Sequence, residues 1–336
     1  MQETVIVTGG AGYIGSHVCK ALYQRGILPV TIDDLSTGNE WAVKWGPLHV
    51  ATIADGAALR QILRQYQVTS VLHFAAHSQV GESVADPLKY HRNNVGGTVS
   101  LAEAMLDCGV GKLVFSSTCA VYGMPDETPI TEEAARRPVN PYGQSKLSAE
   151  NALIDIAATG KLSVAMLRYF NAAGADTDLE IGEAHEPESH LIPLAIRAAT
   201  GQLVRFRLFG TDYPTPDGTC QRDYIHVNDL ASAHLAALDF LANKAGAHGF
   251  NLGTGKAVSV REVLGAVEQA TGRTVPTVEV ERRAGDPPIL FAANGKARRE
   301  LNWQPQHSDI VSIVRSAAAW DEIYRTRLQP PIFKRA

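Results

Sequence analysis

The chain has 336 residues, which is long enough to bury a large core and to form roughly two domains, so a single small module is excluded. Its net charge is −4, with both signs spread along the sequence, so it offers neither a basic stripe for nucleic acid nor a polybasic membrane anchor. The expected ligand is therefore a small molecule.

The first half of the chain alternates apolar runs with helical segments. Strands are predicted at 5–8, 28–33, 70–75, 112–117 and 162–169, and helices at 16–24, 57–66, 87–108 and 141–158. Repeated strand–helix units predict an α/β fold with a doubly wound parallel sheet of the Rossmann type.

After Phe170 the pattern becomes irregular, and a smaller C-terminal α/β lobe is predicted to follow. It contains predicted helices at 191–200 and 258–271, and a strand at 223–227 that enters a helix at 228–241. We expect residues 1–172 to form the first domain and residues 173–336 the second lobe, with a segment of about 222–242 returning to the first domain.

The N-terminus and the cysteines bear on the compartment. A strand begins by Val5 without the basic and apolar segments of a signal peptide, and no apolar run reaches the ~18 residues that span a bilayer. No Cys-x-x-Cys pair occurs among Cys19, Cys108, Cys119 and Cys220, so neither a zinc–thiolate site nor a disulfide framework is indicated. The eleven histidines form no His-Glu-x-x-His motif, and we expect no metal site. A cytoplasmic location is expected.

The turn after the first strand is rich in glycine. Gly9, Gly12 and Gly15 lie at a strand-to-helix junction, where backbone N–H groups can approach a pyrophosphate at the positive end of the helix. Asp33 ends the next strand, where a carboxylate can accept hydrogen bonds from an adenosine ribose and repels a 2′-phosphate. The pattern predicts an NAD site. The alternatives are a tight turn packed by small residues and, for Asp33, a helix cap or turn former.

Tyr142 and Lys146 lie four residues apart in a predicted helix and can share one face of it. A free tyrosine releases its proton only near pH ~10, so its use as a base requires a nearby positive charge, which Lys146 can supply. A dinucleotide and an acid–base tyrosine together indicate redox chemistry on an alcohol.

Sequence blocks extend this pattern over nearly the whole chain, at 8–17, 73–76, 80–84, 93–95, 115–118, 121–123, 168–172, 209–213, 217–219, 222–227 and 283–286. With the Tyr142/Lys146 pair, these blocks resemble the extended short-chain dehydrogenase/reductase family, and within it the UDP-glucose 4-epimerases. The glycine motif and Tyr-x-x-x-Lys are common to the superfamily, whereas the C-terminal blocks are more specific to the epimerases.

The resemblance implies that NAD transiently oxidises the sugar 4-hydroxyl of UDP-glucose or UDP-galactose. The 4-keto sugar then rotates in the site, and the hydride returns to its other face, which inverts C4. It makes Tyr142 the acid and base, assigns to Lys146 the lowering of the Tyr142 pKa, and lets Thr118 hydrogen-bond the reacting oxygen. It implies NAD contacts from Gly9, Gly12, Tyr13, Ile14, Gly15, Asp33, Asp34, Leu35, Phe74, Ala75, Ala76, Asn93, Lys146 and Phe170. It implies UDP-sugar contacts from Thr118, Asn171, His190, Leu191, Phe209, Arg222, Arg283, Asp286 and Leu290.

Several positions keep a second interpretation. Ile53 stands where the family usually has an aspartate that reaches the adenine, so that hydrogen bond is either absent or supplied by Asp55. Arg222 and Arg283 can be read as surface ion-pair formers, and Phe209 as a core aromatic. For His77, a packing or polar role is expected rather than that of a second catalytic base.

The choice of reaction and substrate rests on two positions. No acidic residue follows Thr118 in Cys119-Ala120-Val121, which argues against the related dehydratases and decarboxylases. In the family the residue near Leu290 limits the room beside the sugar: a bulky residue excludes an N-acetyl group and a small one admits it. Leucine is intermediate to bulky, so we expect UDP-glucose and UDP-galactose rather than their N-acetyl forms as substrates. A UDP-arabinose/UDP-xylose 4-epimerase is the alternative, and a noncatalytic NAD sensor the second.

A homodimer is also implied by the resemblance, through the helices at 87–108 and 141–158. Apolar stripes on these helices would equally suit packing within one subunit.

Overall fold

The structure is a computed structural model that describes residues 2–283 and 285–328. The strands are β1 Thr4–Thr8, β2 Leu28–Asp33, β3 Leu48–Val50, β4 Ser70–His73, β5 Lys112–Thr118, β6 Ser163–Tyr169, β7 Asn171–Ala173, β8 Phe206–Phe209, β9 Gln221–Arg222, β10 Tyr224–His226, β11 Ala247–Leu252, β12 Val258–Ser259, β13 Thr277–Val280 and β14 Ile289–Leu290. The α-helices are α1 Tyr13–Gln24, α2 Gly56–Gln65, α3 Val80–Ala85, α4 Pro87–Tyr90, α5 Thr98–Asp107, α6 Pro141–Ala158, α7 Leu191–Ala199, α8 Val227–Leu241, α9 Val260–Thr271, α10 Gly295–Glu300 and α11 Ile310–Ile323.

Seven parallel strands form the central sheet in the order β11-β6-β5-β4-β1-β2-β3. The chain starts inside the sheet at β1, runs outward through β2 and β3, and crosses back to β4 before continuing to β11. Ligands bind at such a reversal, beyond the carboxyl ends of the strands. The prediction of a doubly wound parallel sheet is confirmed.

Helices cover both faces of this sheet. On one face α1 and α8 pack against Val5, Val7 and Val114, and on the other α2, α5 and α6 pack against Ile6 and Phe115. Successive residues of a strand point to opposite faces, so a strand buried on both sides needs a continuous apolar run. This requirement explains the sequence of β1.

The structure differs from the predicted elements at several places. Strand β4 ends at His73, two residues earlier than predicted, because the backbone N–H groups of Phe74 and Ala75 both turn toward the carbonyl of Thr8. The helix predicted at 87–108 is one continuous run of α4, a π-helical segment His91–Gly97, and α5. The edge strands β3 and β11 were not predicted.

The second lobe has its own core, in which α7, α9 and α11 pack with β8 and β13. Between these elements the chain comes back to the sheet: β10 pairs with β7, α8 packs beside α1, and β11 pairs with β6. None of the helices in residues 2–283 and 285–328 is long and apolar enough to cross a membrane.

Candidate active site

A cavity of about 370 Å³ lies at the carboxyl ends of β1, β2, β4 and β5, where the sheet order reverses. The predicted cofactor residues that line it are Gly9, Gly12, Tyr13, Ile14, Gly15, Asp33, Asp34, Phe74, Ala75, Ala76, Asn93, Lys146 and Phe170. Leu35 is the exception. Its φ of +57° directs its N–H to a carboxylate oxygen of Asp33 at 2.9 Å, and its side chain does not line the cavity.

The glycine turn is sterically required. Gly9 has a φ of +74°, and a Cβ on it would lie 2.6 Å from the backbone nitrogen of Ala75. A Cβ on Gly15 would collide with the carbonyl oxygen of Gly9. In the described chain no side chain caps α1, and no acidic residue occupies its first turn, so its N–H groups are open to an anion. This arrangement fits a dinucleotide pyrophosphate.

Asp33 is buried at the end of β2 and points into the same turn. Its Oδ2 accepts the N–H of Ala11 at 3.0 Å, and Oδ1 accepts that of Leu35. Burial raises its pKa, against the effect of these two backbone hydrogen bonds. The carboxylate therefore forms the turn, as its second interpretation supposed, and also lines the cavity where a ribose would lie.

Helix α6 carries Tyr142 and Lys146 to the other end of the cavity. The side chain of Asn140 accepts the N–H of Gly143 at 2.8 Å and Pro141 fills the first helical position, so Tyr142 lies in the first turn. Lys146 Nζ donates to the carbonyl of Ser116 at 2.8 Å. Thr118 ends β5, its hydroxyl accepts the N–H of Ala120 at 3.1 Å, and it lines the same cavity as Tyr142. The three predicted catalytic residues thus meet in one place.

Burial is the largest influence on the pKa values of Tyr142 and Lys146. Burial raises the pKa of Tyr142, and the nearby Tyr169 raises it further. Burial lowers the pKa of Lys146 to about 7, although Glu150 acts in the opposite direction. Lys146 is not among the main causes of the Tyr142 shift, so its lowering of the Tyr142 pKa stays a prediction.

A buried polar network, which sequence reasoning missed, fixes α6 to the sheet. Glu150 is fully buried and accepts two hydrogen bonds from Arg168, both at 2.8 Å, one from Ser117 at 2.5 Å and one from Arg136 at 3.1 Å. Arg168 also donates to the hydroxyl of Tyr122 at 2.9 Å. The available signal was an arginine inside the apolar run of β6.

The predicted substrate residues divide between two cavities. Asn171 and His190 line the first. A second cavity of about 360 Å³ is lined by Leu191, Phe209, Arg283 and Asp286, among others. The guanidinium of Arg283 lies 4.0 Å from the centre of the Phe209 ring, so Phe209 is not simply a core aromatic. The start of α7 contributes to both cavities, since His190 lines the first and Leu191 the second.

Arg222 and Leu290 line neither cavity, so their contacts with the UDP-sugar stay predictions. Arg222 forms an ion pair with Asp286, and its side chain is only 12% exposed, so it is a buried ion-pair former rather than a surface one. Leu290 packs on the apolar cluster that contains Phe170 and Tyr122, and Phe170 lines the first cavity.

The segment expected to reach the adenine contributes no carboxylate. Ile53 is buried in the first cavity, where a Cβ on Gly97 would come within 2.5 Å of it. Asp55 caps α2 by accepting the N–H groups of Ala57 and Ala58 at 3.1 and 3.0 Å. Asp55 does not line the cavity, which favours the other alternative, that the adenine hydrogen bond is absent. His77 lines the cavity, and burial lowers its pKa.

Residues 5–253 match the NAD dependent epimerase/dehydratase family. The chain belongs to this family. It is 49% identical over 318 residues to a UDP-glucose 4-epimerase of Rhizobium leguminosarum bv. trifolii, a match that covers 95% of this chain and 97% of the relative. A UDP-glucose 4-epimerase of Rhizobium meliloti is also 49% identical, over 319 residues.

Solved structures agree with these relatives. The crystal structure of the UDP-glucose 4-epimerase of Brucella ovis in complex with NAD superposes with a TM-score of 0.92 at 49% identity, over 94% of this chain and 98% of that one. That of Stenotrophomonas maltophila, with bound NAD and formylated UDP-arabinopyranose, gives a TM-score of 0.94 at 42% identity over 96% and 99% of the chains. The fold and the family resemblance drawn from the sequence are confirmed.

Proposed function

We propose that the protein interconverts UDP-glucose and UDP-galactose by NAD-dependent epimerisation at C4, as an isomerase of galactose metabolism. The observation that carries the proposal is the meeting of Tyr142, Thr118 and Lys146 in the cavity that also contains the glycine turn and Asp33. The identity of nearly half of all positions with UDP-glucose 4-epimerases supports it.

The cofactor, when bound, accepts a hydride from C4 and returns it to the opposite face of the sugar. The hydroxyl of Tyr142 takes the proton from the 4-hydroxyl and gives it back, while Thr118 holds the reacting oxygen. Lys146 is fixed by the carbonyl of Ser116 close to the reacting end of the cavity. A phenol whose pKa is raised by burial is protonated at rest, so removal of the proton from the 4-hydroxyl needs added positive charge that favours the phenolate.

The nucleotide half of the substrate is assigned to the second cavity. Arg283 supplies a cation there and Leu191 an apolar surface, and the guanidinium of Arg283 lies against the ring of Phe209. Asn171 and His190 then hold the part of the sugar nucleotide that enters the first cavity. Arg222 acts through Asp286, which it pairs with, and Leu290 acts from behind the wall that includes Phe170.

Conversion of UDP-galactose to UDP-glucose without added reductant tests the proposal. We expect NMR to show UDP-glucose forming with the wild type, and a rate lower by about 10²–10⁴-fold with Tyr142→Phe, which keeps the ring and removes the acid–base group. Retained NAD binding in that variant separates lost chemistry from lost folding.

UDP-arabinose in a parallel tube tests the alternative substrates. Conversion of the pentose alone would replace the hexose assignment, and the comparisons do not favour that outcome. If neither sugar is converted although NAD is bound, the result would favour a noncatalytic NAD sensor.

Three further assignments belong to the proposal. Residues 1–172 bind NAD and residues 173–336 bind the UDP-sugar, with about 222–242 returning to the first domain; the pairing of β10 with β7 supports that return.

The protein is a homodimer, supported by exposed apolar side chains on α3, α4 and α5: Val80, Val84, Leu88 and Val99. It works in the cytoplasm, supported by four cysteines that are all free thiols.

A further inference from the structure

A loop at the mouth of the first cavity gathers two glutamates and two histidines. Glu183, His185, Glu188 and His190 each place one possible ligand atom within 4.8 Å of the others. Nδ1 of His190 lies 2.8 Å from Oε1 of Glu183 and 2.9 Å from Oε1 of Glu188. Nδ1 of His185 lies 3.1 Å from the same oxygen of Glu183. Four possible donor atoms therefore lie close together in this loop.

The charge of this group needs compensation. The side chain of Glu183 is 8% exposed and that of Glu188 only 1%, and buried carboxylates are costly unless they are paired. Within residues 2–283 and 285–328, the only cationic groups within ion-pair distance of them are His185 and His190. As metal ligands both imidazoles are neutral, so the bound set would carry two negative charges, which one divalent cation balances.

The loop is held in place by contacts outside the donor set. The indole N–H of Trp320 donates to the carbonyl of Glu183 at 2.9 Å, and Gly182 packs closely on the Trp320 ring. Oε1 of Glu188 accepts the backbone N–H groups of Ser189 and His190 at 2.7 and 2.8 Å. Such surrounding bonds orient metal ligands and lower the cost of bringing them together.

We propose that Glu183, His185, Glu188 and His190 form a binding site for a zinc-class divalent ion. Imidazole nitrogen and carboxylate oxygen are both zinc ligands, and four of them satisfy its tetrahedral coordination. The ion would join the loop to the start of α7, where His190 lines the first cavity and Leu191 the second. Because it uses Nδ1 of His190, it leaves Nε2 free for the substrate. The spacing Glu-x-His-x-x-Glu-x-His differs from the His-Glu-x-x-His pattern on which the sequence expectation of no metal was based.

A neighbouring acidic group provides the matched control. Asp176, Asp178 and Glu180 also bring three carboxylates together, but Lys20 Nζ lies 2.7 Å from each of them. Their charge is already met by an ammonium, so they should not bind the ion.

The test is calorimetric titration of Zn²⁺ into the untagged full chain after treatment with a chelator. We expect one ion per chain with a dissociation constant in the micromolar range or below. His185→Ala and Glu188→Gln should each weaken binding at least about tenfold, because each removes one of four ligands. Asp178→Asn should leave it unchanged. Cobalt(II) should give the visible absorption of a four-coordinate ion without a sulfur-to-metal band, which excludes the cysteines.

The proposal is overturned if Zn²⁺ at millimolar concentration gives no binding heat, or if His185→Ala binds as well as wild type. If Glu188→Gln does not fold by circular dichroism, the partly exposed His185 decides alone. These readouts do not involve turnover, so they are independent of the proposed epimerase activity.

Discussion

Lys146 is a buried amine whose charge is opposed by its surroundings. Its side chain contacts the carbonyl of Ser116 and lies 4.8 Å from the centre of the Phe115 ring, and burial lowers its pKa to about 7. The unfolded chain keeps this proton up to about pH 10. Between these two values the unfolded state binds more protons, so folding stability contributed by this site rises with pH. Below about pH 7 both states are protonated, and the cost of the buried charge is present in full.

Replacement of Lys146 by methionine should therefore stabilise the protein more in acid than in base. We expect the gain in free energy of unfolding to be larger at about pH 6.5 than at about pH 9.5, with a slope of at most about 1.4 kcal/mol per pH unit. Urea denaturation of both proteins at the two pH values measures it. Lys244→Met, at an exposed position, is the control and should show no such dependence. A difference that does not change with pH would contradict the pKa assigned to Lys146.

Leu290 tests substrate discrimination at a single residue. It packs on the apolar cluster that includes Phe170, which lines the first cavity, so we expect its removal to give that wall room to recede. Leu290→Gly should raise kcat/KM for UDP-N-acetylglucosamine relative to UDP-glucose by about tenfold or more, since a pocket discriminates small apolar groups by roughly 1–3 kcal/mol. Ile289→Gly is the matched control, because neighbouring residues of a strand point to opposite faces. Unchanged acceptance of the N-acetyl sugar would rule out this role.

At the scale of elements, α6 is held by the buried charge of Glu150. Four hydrogen bonds from Arg168, Ser117 and Arg136 converge on this carboxylate, one helical turn beyond Lys146. Removal of one partner of a buried ion pair leaves the other charge unpaired, at a cost of about 3–5 kcal/mol. The same change removes the attraction that raises the pKa of Lys146.

Glu150→Gln should lower the free energy of unfolding by several kcal/mol, on the order of the buried-pair cost, and should reduce turnover because α6 carries Tyr142. Thermal denaturation and the UDP-galactose assay measure the two effects. Arg136→Met should cost far less, because its side chain is 32% exposed. The double variant Glu150→Gln with Arg168→Met should recover part of the loss. If Glu150→Gln were as stable as wild type, the network would not hold the helix.

The elements that sequence patterns predicted well are those whose burial imposes a period. Strands β1 and β5 contain continuous apolar runs, Val-Ile-Val and Leu-Val-Phe, because helices cover both faces. Strand β11, with the sequence Ala-His-Gly-Phe-Asn-Leu, has no such run, and it forms because β6 offers it a parallel edge. The π-helical segment at His91–Gly97 likewise follows from packing against α6 and carries no marker of its own in the sequence.

At the scale of the molecule, the sequence could predict which residues belong to the site better than how they are arranged. The glycine turn, Asp33 and Tyr142 follow from local geometry at strand and helix ends, and the structure brings them to one cavity. The division of the substrate residues into two cavities depends on how the second lobe packs. The raised pKa of Tyr142 depends on burial, which no spacing of residues encodes.

The proposed homodimer is also a property of the whole molecule. Val84 and Leu88 are 65% and 62% exposed on α3 and α4, and exposed apolar side chains that occur together mark an interaction surface. Leu88→Arg would place a charge in that interface. We expect wild type to sediment at about twice the 36.1 kDa of one chain and the variant at the single-chain mass.

Val204→Arg is the matched control, since Val204 is 87% exposed but follows α7 in the second lobe, and this variant should remain dimeric. Wild-type protein that sediments as a single chain at micromolar concentration would remove the dimer, and a dimer that survives Leu88→Arg would move its interface away from α3 and α4.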